Sequence, residues 1–225
     1  MSGLCQLAAS WSGRDLPIAA TVEEKRDGFR ALWLRDHQDK PGLYSRNGIP
    51  LPGVEHITHQ LAAFERHAGQ PLFLDGEFCV GETDTLATTK RWVERDHKFG
   101  GTAGKLYLFD GLAFDDWMRG GTDTPLWQRK ERLQALALAV ETDQAHAWDW
   151  RPGSRGDEPN PVELVTATEV WCVDDAIEQA GAIWASGGEG IMLKDLEAPY
   201  RRCRSNAWLK IGRPWRDKIN WKRAA

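Results

Sequence analysis

No run of about 18 apolar residues, the length a membrane-spanning helix needs, occurs in the 225-residue sequence. A membrane span and a membrane partner are therefore not expected. Residues Met1 to Ser10 lack a basic start and hold only a short apolar stretch, so no secretory leader is read there. Cysteine is scarce: Cys5, Cys79, Cys172 and Cys203 lie far apart and form no C-x-x-C. That excludes a disulfide framework or a cysteine zinc site and suits reduced thiols in a cytoplasmic protein. The one close histidine pair, His56-x-x-His59, has no third ligand in view and is read as the solvated face of a helix. Internal repeats and low-complexity linkers are absent too, so residues 1–225 are expected to form a single domain.

What is present is ordinary for a globular chain, at 41% apolar and 28% charged residues. The net charge of −4 argues mildly against a nucleic-acid partner, but its distribution argues the other way. Nine basic residues against one acid lie between Arg201 and Arg223, a net of +8, which leaves −12 for the rest. This basic tail, 201–225, also carries Trp208, Trp215 and Trp221 and fits contact with a polynucleotide backbone. A solvated charged end with its tryptophans packed on the core is the alternative. Most of the twelve tryptophans are expected in the core or on a sheet face.

The stretch Glu23-Glu24-Lys25-Arg26-Asp27-Gly28-Phe29-Arg30 lies between two apolar runs. Asp-Gly is a two-residue hairpin signal, so Ile18–Lys25 and Phe29–Arg35 read as paired strands holding Lys25 beside the turn. Such a lysine is either solvated or a nucleophile. As a nucleophile it must be the neutral amine, although a free lysine titrates near roughly 10.4. Neighbouring cations and burial lower that value.

Further on, Leu43–Ser45 reads as a short strand entering an Asn47-Gly48 turn. Val54, Ile57, Leu61 and Phe64 mark an amphipathic helix that Gly69 ends. Pro71–Val80 reads as a strand pair or one long strand, on which Asp75 and Glu77 face the same way. In a closed site such a pair wants a cation; otherwise it faces solvent. Residues 81–104 read first as a mobile loop with a short helix around Lys90–His97, and Lys105–Asp110 as a strand. A helix starts at Asp123-Thr124-Pro125 and runs through Leu126, Leu133, Leu136 and Val140. Residues 148–161 read as an exposed loop and Val162–Thr166 as a strand. A helix capped by Asp174-Asp175 then buries Ala176, Ile177, Ala180, Ile183 and Trp184 and ends at Gly187-Gly188. Glu189–Lys194 and Ala207–Ile211 are the last strands. The pattern is α+β: two antiparallel sheets flanked by helices.

Six short motifs occur in one order. They are Lys25-Arg26-Asp27-Gly28-Phe29-Arg30, Ser45-Arg46-Asn47-Gly48, Leu74-Asp75-Gly76-Glu77-Phe78, Leu108-Phe109-Asp110, Glu189-Gly190-Ile191-Met192-Leu193-Lys194 and Trp208-Leu209-Lys210-Ile211. Together they resemble the motif series of the covalent nucleotidyltransferases, and most of all compact, bacteriophage-type ATP-dependent DNA ligases. The resemblance implies an ATP-grasp-like adenylation domain with ATP in a groove between two sheets. It implies that Lys25 attacks the α-phosphate of ATP, that AMP passes to the 5′-phosphate of a DNA nick, and that the 3′-hydroxyl then seals it. Glu23 would contact adenine, Arg30 and Arg46 ribose and phosphate, and Phe109 would stack on the base. Glu77 would bind ribose or metal, Glu189 would help hold Mg²⁺, and Lys194 and Lys210 would neutralise the α-phosphate.

Two departures bear on the reaction. DNA ligases carry a second lysine two residues after the first in the last motif, where this chain has Gly212; Arg213 takes that place only if the strand register shifts. An OB-fold domain normally follows, and the 15 residues after Lys210 do not hold one. A separate OB-fold or clamp-like partner is therefore expected beside nicked double-stranded DNA. An RNA ligase, or a nucleotide- or nick-binding module that has lost ligation, are the competing readings.

Overall fold

The computed structural model describes residues 3–13, 16–17, 19–81, 86–148, 160–212 and 215. In chain order the elements are β1 (Leu7–Ser10), β2 (Ala20–Glu24), β3 (Phe29–Arg35), β4 (Pro41–Ser45), α1 (Glu55–Ala68), β5 (Leu72–Cys79), α2 (Leu86–Glu94), a 3-10 turn (Asp96–Phe99), β6 (Lys105–Ala113), α3 (Phe114–Met118), β7 (Gly121–Thr122), α4 (Leu126–Trp148), β8 (Val162–Leu164), β9 (Ala167–Val170), α5 (Val173–Ala185), β10 (Gly190–Asp195), β11 (Tyr200–Arg201) and β12 (Arg204–Gly212). They form two compact units, one of Met1–Asp27, Gly120–Trp127 and Val165–Ala225, the other of Gly28–Arg119 and Gln128–Leu164.

The first unit is built on a five-stranded sheet in the order β1-β12-β10-β2-β9, with the ribbon β7–β11 beside it. Alternation decides its faces. Ala20 and Val22 of β2, Ile191 and Leu193 of β10 and Ile211 of β12 pack into one core with Ala176, Ala180 and Trp184 of α5. The opposite positions, Thr21, Glu23, Met192, Lys194, Trp208, Lys210 and Gly212, share the other face by register. Helix α5 is capped two residues before the first of the two aspartates expected to cap it. Cys172 is the N-cap, and its sulfur accepts from the Asp175 N–H. Asp175 in turn accepts from the Trp171 N–H, and the Cys172 thiol and this N–H hold the Asp175 carboxyl below its ordinary value.

The second unit carries the sheet β4-β3-β5-β6-β8. Ala31, Trp33, Leu74, Phe78, Leu106 and Leu108 form its core with Ile57, Leu61 and Phe64 of α1 and Leu133 and Val140 of α4. Each leucine, isoleucine, valine or phenylalanine side chain taken fully from water contributes about 1.5–3 kcal/mol. As expected, Gly69 ends α1 in the left-handed conformation, and Asn47-Gly48 turns β4 back so that Tyr44 bridges Pro50.

The α+β architecture with helix-flanked sheets is the expected one, with differences inside it. Each sheet is antiparallel except for one parallel edge pair, β1 with β12 and β6 with β8. Edge strands β1 and β9 were not foreseen; both are short, and their local pattern is too weak to mark them. The short helix expected around Lys90–His97 is present but starts earlier, as Leu86–Glu94 followed by a 3-10 turn at Asp96–Phe99, so less of 81–104 is loop than expected. Residues 213–214 and 216–225 of the basic tail, and residues 149–159, lie outside the described residues.

The largest correction concerns Asp27-Gly28. It is not a hairpin turn: β2 pairs with β10 and β9, whereas β3 pairs with β4 and β5. The two strands belong to different sheets, and Lys25–Gly28 is the link. Gly28 serves close approach rather than turning. A β-carbon there would stand 2.3 Å from the Phe78 carbonyl oxygen and 2.6 Å from the Cys79 sulfur. Gly28→Ala is therefore expected to cost at least the roughly 1–3 kcal/mol typical of overpacking, read as a lower urea midpoint. An unchanged midpoint would show that β3 can move away from β5 at no cost.

Candidate active site

In the first unit the chain leaves β2 with its ladder still running. The Lys25 N–H donates to the Gly190 carbonyl at 2.9 Å, two residues beyond Glu23 on the same strand line. Lys25 Nζ donates to Glu189 Oε2 at 2.5 Å, with both side chains about a quarter exposed, 27% and 23%. Glu189 is held from behind, where the buried Trp184 indole N–H donates to its carbonyl at 3.1 Å. Gly190 follows because nothing larger fits. Its φ is +145°, and a β-carbon would lie 2.1 Å from the Ile211 carbonyl oxygen.

The two other lysines are not equivalent. Lys210 stands opposite Met192, which stands opposite Glu23. Lys194 lies level with Thr21, four residues back from Lys25, or about 13 Å along a strand. It is fully buried (1%) and ion-paired at 2.6 Å with the equally buried Glu23 (2%). Its ammonium also sits 4.3 Å from the centre of the Trp208 ring. The structure thus joins Lys194 to Glu23 and Lys25 to Glu189, where sequence reasoning had the lysines converge on Lys25. Lys210 is exposed on the same face, and Gly212, two residues on, faces the same way opposite Gly190.

The second unit assembles the aromatic half. On β5, Asp75 and Glu77 do face alike, and Glu77 lies directly across from Arg30. The cation that meets Asp75 is a guanidinium. Arg30 Nε and Nη2 reach its two oxygens at 2.5 and 2.6 Å, a bidentate pair on a carboxylate with no exposure. The same guanidinium lies 4.6 Å over the Phe109 ring. Phe109 is a bulge: Leu108 opposes Gly76 and Asp110 opposes Asp75, which leaves Phe109 unmatched on β6. Bulges of this kind re-aim a side chain. Arg46 is exposed in the β4 turn, which Ser45 organises by accepting from the N–H groups of Asn47 and Ile49.

Sequence reasoning missed Arg129. It is fully buried on α4 and forked onto Asp110 at 2.8 Å through Nε and Nη2. The signal was available, since Arg129 falls between Leu126 and Leu133 at helical spacing, a charge on the buried stripe. His56, by contrast, bonds the Gly104 carbonyl and His59 is exposed. Among the described residues no three of His, Cys, Asp and Glu group as a metal site.

The class of this domain comes from comparison with known proteins, which makes it a nucleotidyltransferase domain of the ligase type. Residues 10–212 match the model of the ATP dependent DNA ligase domain, and the chain belongs to that family. It is 29% identical over 208 residues to a probable DNA ligase of Anaeromyxobacter dehalogenans, covering 89% of this chain and 36% of the relative. It is 30% identical over 203 residues to a DNA ligase of Haloferax volcanii, covering 85% and 30%. The chain thus spans about a third of the length of these curated relatives. Among solved structures, the ATP-dependent DNA ligase of bacteriophage T7 in complex with ATP shares the fold at TM-score 0.71 and 17% identity, covering 92% of this chain and 68% of that one.

Proposed function

We propose that residues 1–225 work as one adenylation domain that loads AMP onto Lys25 and delivers it to the 5′-phosphate of nicked double-stranded DNA for sealing. The observation that carries this is Lys25 itself, tied through its N–H to β10 and through its amine to Glu189, on the sheet face that carries Lys210. The neutral amine attacks the α-phosphorus of ATP. An N–P bond forms, the bond to the bridging oxygen breaks, pyrophosphate leaves and the amine gives up a proton. The 5′-phosphate oxygen then displaces Lys25 from AMP, and the 3′-hydroxyl displaces AMP as the phosphodiester forms.

Lys210 neutralises charge on the equatorial oxygens, the main service a protein gives phosphoryl transfer. Phe109 stacks on adenine, Arg30 and Arg46 meet ribose and phosphate, and Glu23 reads the base edge once Lys194 yields its carboxylate. Mg²⁺ suits this donor set: it keeps most of its waters, so single carboxylates such as Glu189 and Glu77 suffice without a cage. When bound it would offset phosphate charge; Glu189 also accepts from Lys25 Nζ. Nicked DNA is the substrate and a separate OB-fold or clamp-like protein the partner. The site of action is the cytoplasm; among the described residues no helix is long and apolar enough to cross a membrane.

The test is incubation with α-labelled ATP and Mg²⁺, denaturing separation, then addition of nicked DNA or nicked RNA. Label that forms on the protein and moves to DNA supports the proposal; movement to RNA alone would replace it with an RNA ligase. Gly212 favours one further reading, that label forms and stays put, because the position matching the second lysine bears no side chain. Gly212→Lys is then expected to raise the rate of transfer or sealing by about tenfold or more, in line with what one charge-stabilising donor contributes. An unchanged rate would mean that another group already fills the role.

A further inference from the structure

The bulge at Phe109 is held from helix α4 at two adjacent points. Phe109 has no partner residue on β5, and Lys130 Nζ donates to its carbonyl at 3.4 Å. On the next residue the Asp110 carboxylate receives the Arg129 fork, and one of its oxygens also accepts from the Gly111 N–H at 2.8 Å. Asp110 and Arg129 are fully buried, so neither serves solvent. Directly across the ladder Asp75 stands opposite Asp110 and carries the second fork, Arg30, whose guanidinium lies over the Phe109 ring. The ring is thus gripped through its own carbonyl, through the next residue's carboxylate and across its face.

We propose that Arg129 and Lys130 are positioning residues for nucleotide binding: from α4 they fix the Phe109 bulge and so set the ring on which the adenine stacks. Neither touches the nucleotide. The inference rests on the adenylylation reading of the same site. A ring free to rotate still stacks but must be ordered on binding, so the loss falls on affinity rather than on the chemical step.

The experiment measures self-adenylylation of the full chain with α-labelled ATP over a range of concentrations, for wild type, Lys130→Met, Arg129→Lys and Arg129→Met, with thermal melts alongside. Lys130→Met leaves the Arg129–Asp110 pair intact and keeps the test valid if Arg129→Met fails to fold. The expected result is a roughly tenfold rise in KM for ATP, within the range that base–aromatic stacking is worth, with the rate at saturating ATP changed by less than about threefold. Arg129→Lys, which keeps the charge but not the fork, is expected to fall between wild type and Lys130→Met or beyond it, never at wild type. An unchanged KM in Lys130→Met and Arg129→Lys, or a fall in saturated rate with KM constant, overturns the positioning role while the reading stands. Absence of label on the wild-type protein overturns the adenylylation reading itself, and this inference with it.

Discussion

Lys25→Ala is expected to abolish transfer of label from α-labelled ATP to the protein while leaving the fold in place. On the proposed reading the Lys25 amine forms the adduct, and the two other lysines of this sheet face are placed differently. Lys194 is buried in its pair with Glu23, and Lys210 lies on another strand, level with Glu23. The structural cost is small. The Lys25–Glu189 pair is about a quarter exposed on each side, and such screened pairs contribute about 0–1 kcal/mol, or a shift in Tm of no more than about 2–4 °C at this size. Lys25→Arg sharpens the result, because it keeps the charge facing Glu189 but removes the nucleophile. Both variants should stay unlabelled, and the arginine variant should melt close to wild type. Persistent labelling of either would place the nucleophile elsewhere and undo the assignment of the motif.

The second large effect is expected at Lys194 and Glu23. Lys194→Met strands the Glu23 carboxylate in a fully buried position, and breaking such a pair from one side typically costs about 3–5 kcal/mol. The contact of the ammonium with the Trp208 ring is lost as well. Adding Glu23→Leu to Lys194→Met is expected to recover most of that loss, because two apolar side chains replace two charges that must otherwise satisfy each other. Urea unfolding of wild type, both single variants and the double variant measures the coupling. Strictly additive losses would mean that the 2.6 Å pair does not act as a unit. The double variant also separates two jobs. If Lys194 acts on phosphate, the stable double variant remains slow at saturating ATP. If its job is to hold Glu23 until a base arrives, the defect lies in discrimination between ATP and GTP instead.

The motifs were legible because each is short and local. A lysine before an Asp-Gly step, a carboxylate pair two residues apart and a Glu-Gly pair entering a strand can all be read without knowing what lies opposite. The link at Asp27-Gly28 shows the limit. Asp-Gly reads as a hairpin, yet Gly28 has no left-handed φ and is small because β5 passes 2.3 Å from where a β-carbon would be. A close approach between strands 50 residues apart leaves no local mark.

Partner choice was illegible for the same reason. Asp75 and Glu77 were seen to want a cation, but that the cation is Arg30, one strand over and two residues along, depends on the β3–β5 register. Register also gave Lys194 to Glu23 and left Phe109 unpaired. The sequence by itself determined the family, the α+β class and the main helices, because periodicity, turn chemistry and contiguous motifs are properties of neighbouring residues. Only the tertiary structure decided which sheet each strand joins, which charge meets which, and how α4 grips the Phe109 bulge. These depend on groups brought together from distant positions, as Lys194 and Glu23 are across 171 residues, and a chain read in order carries no record of that pairing.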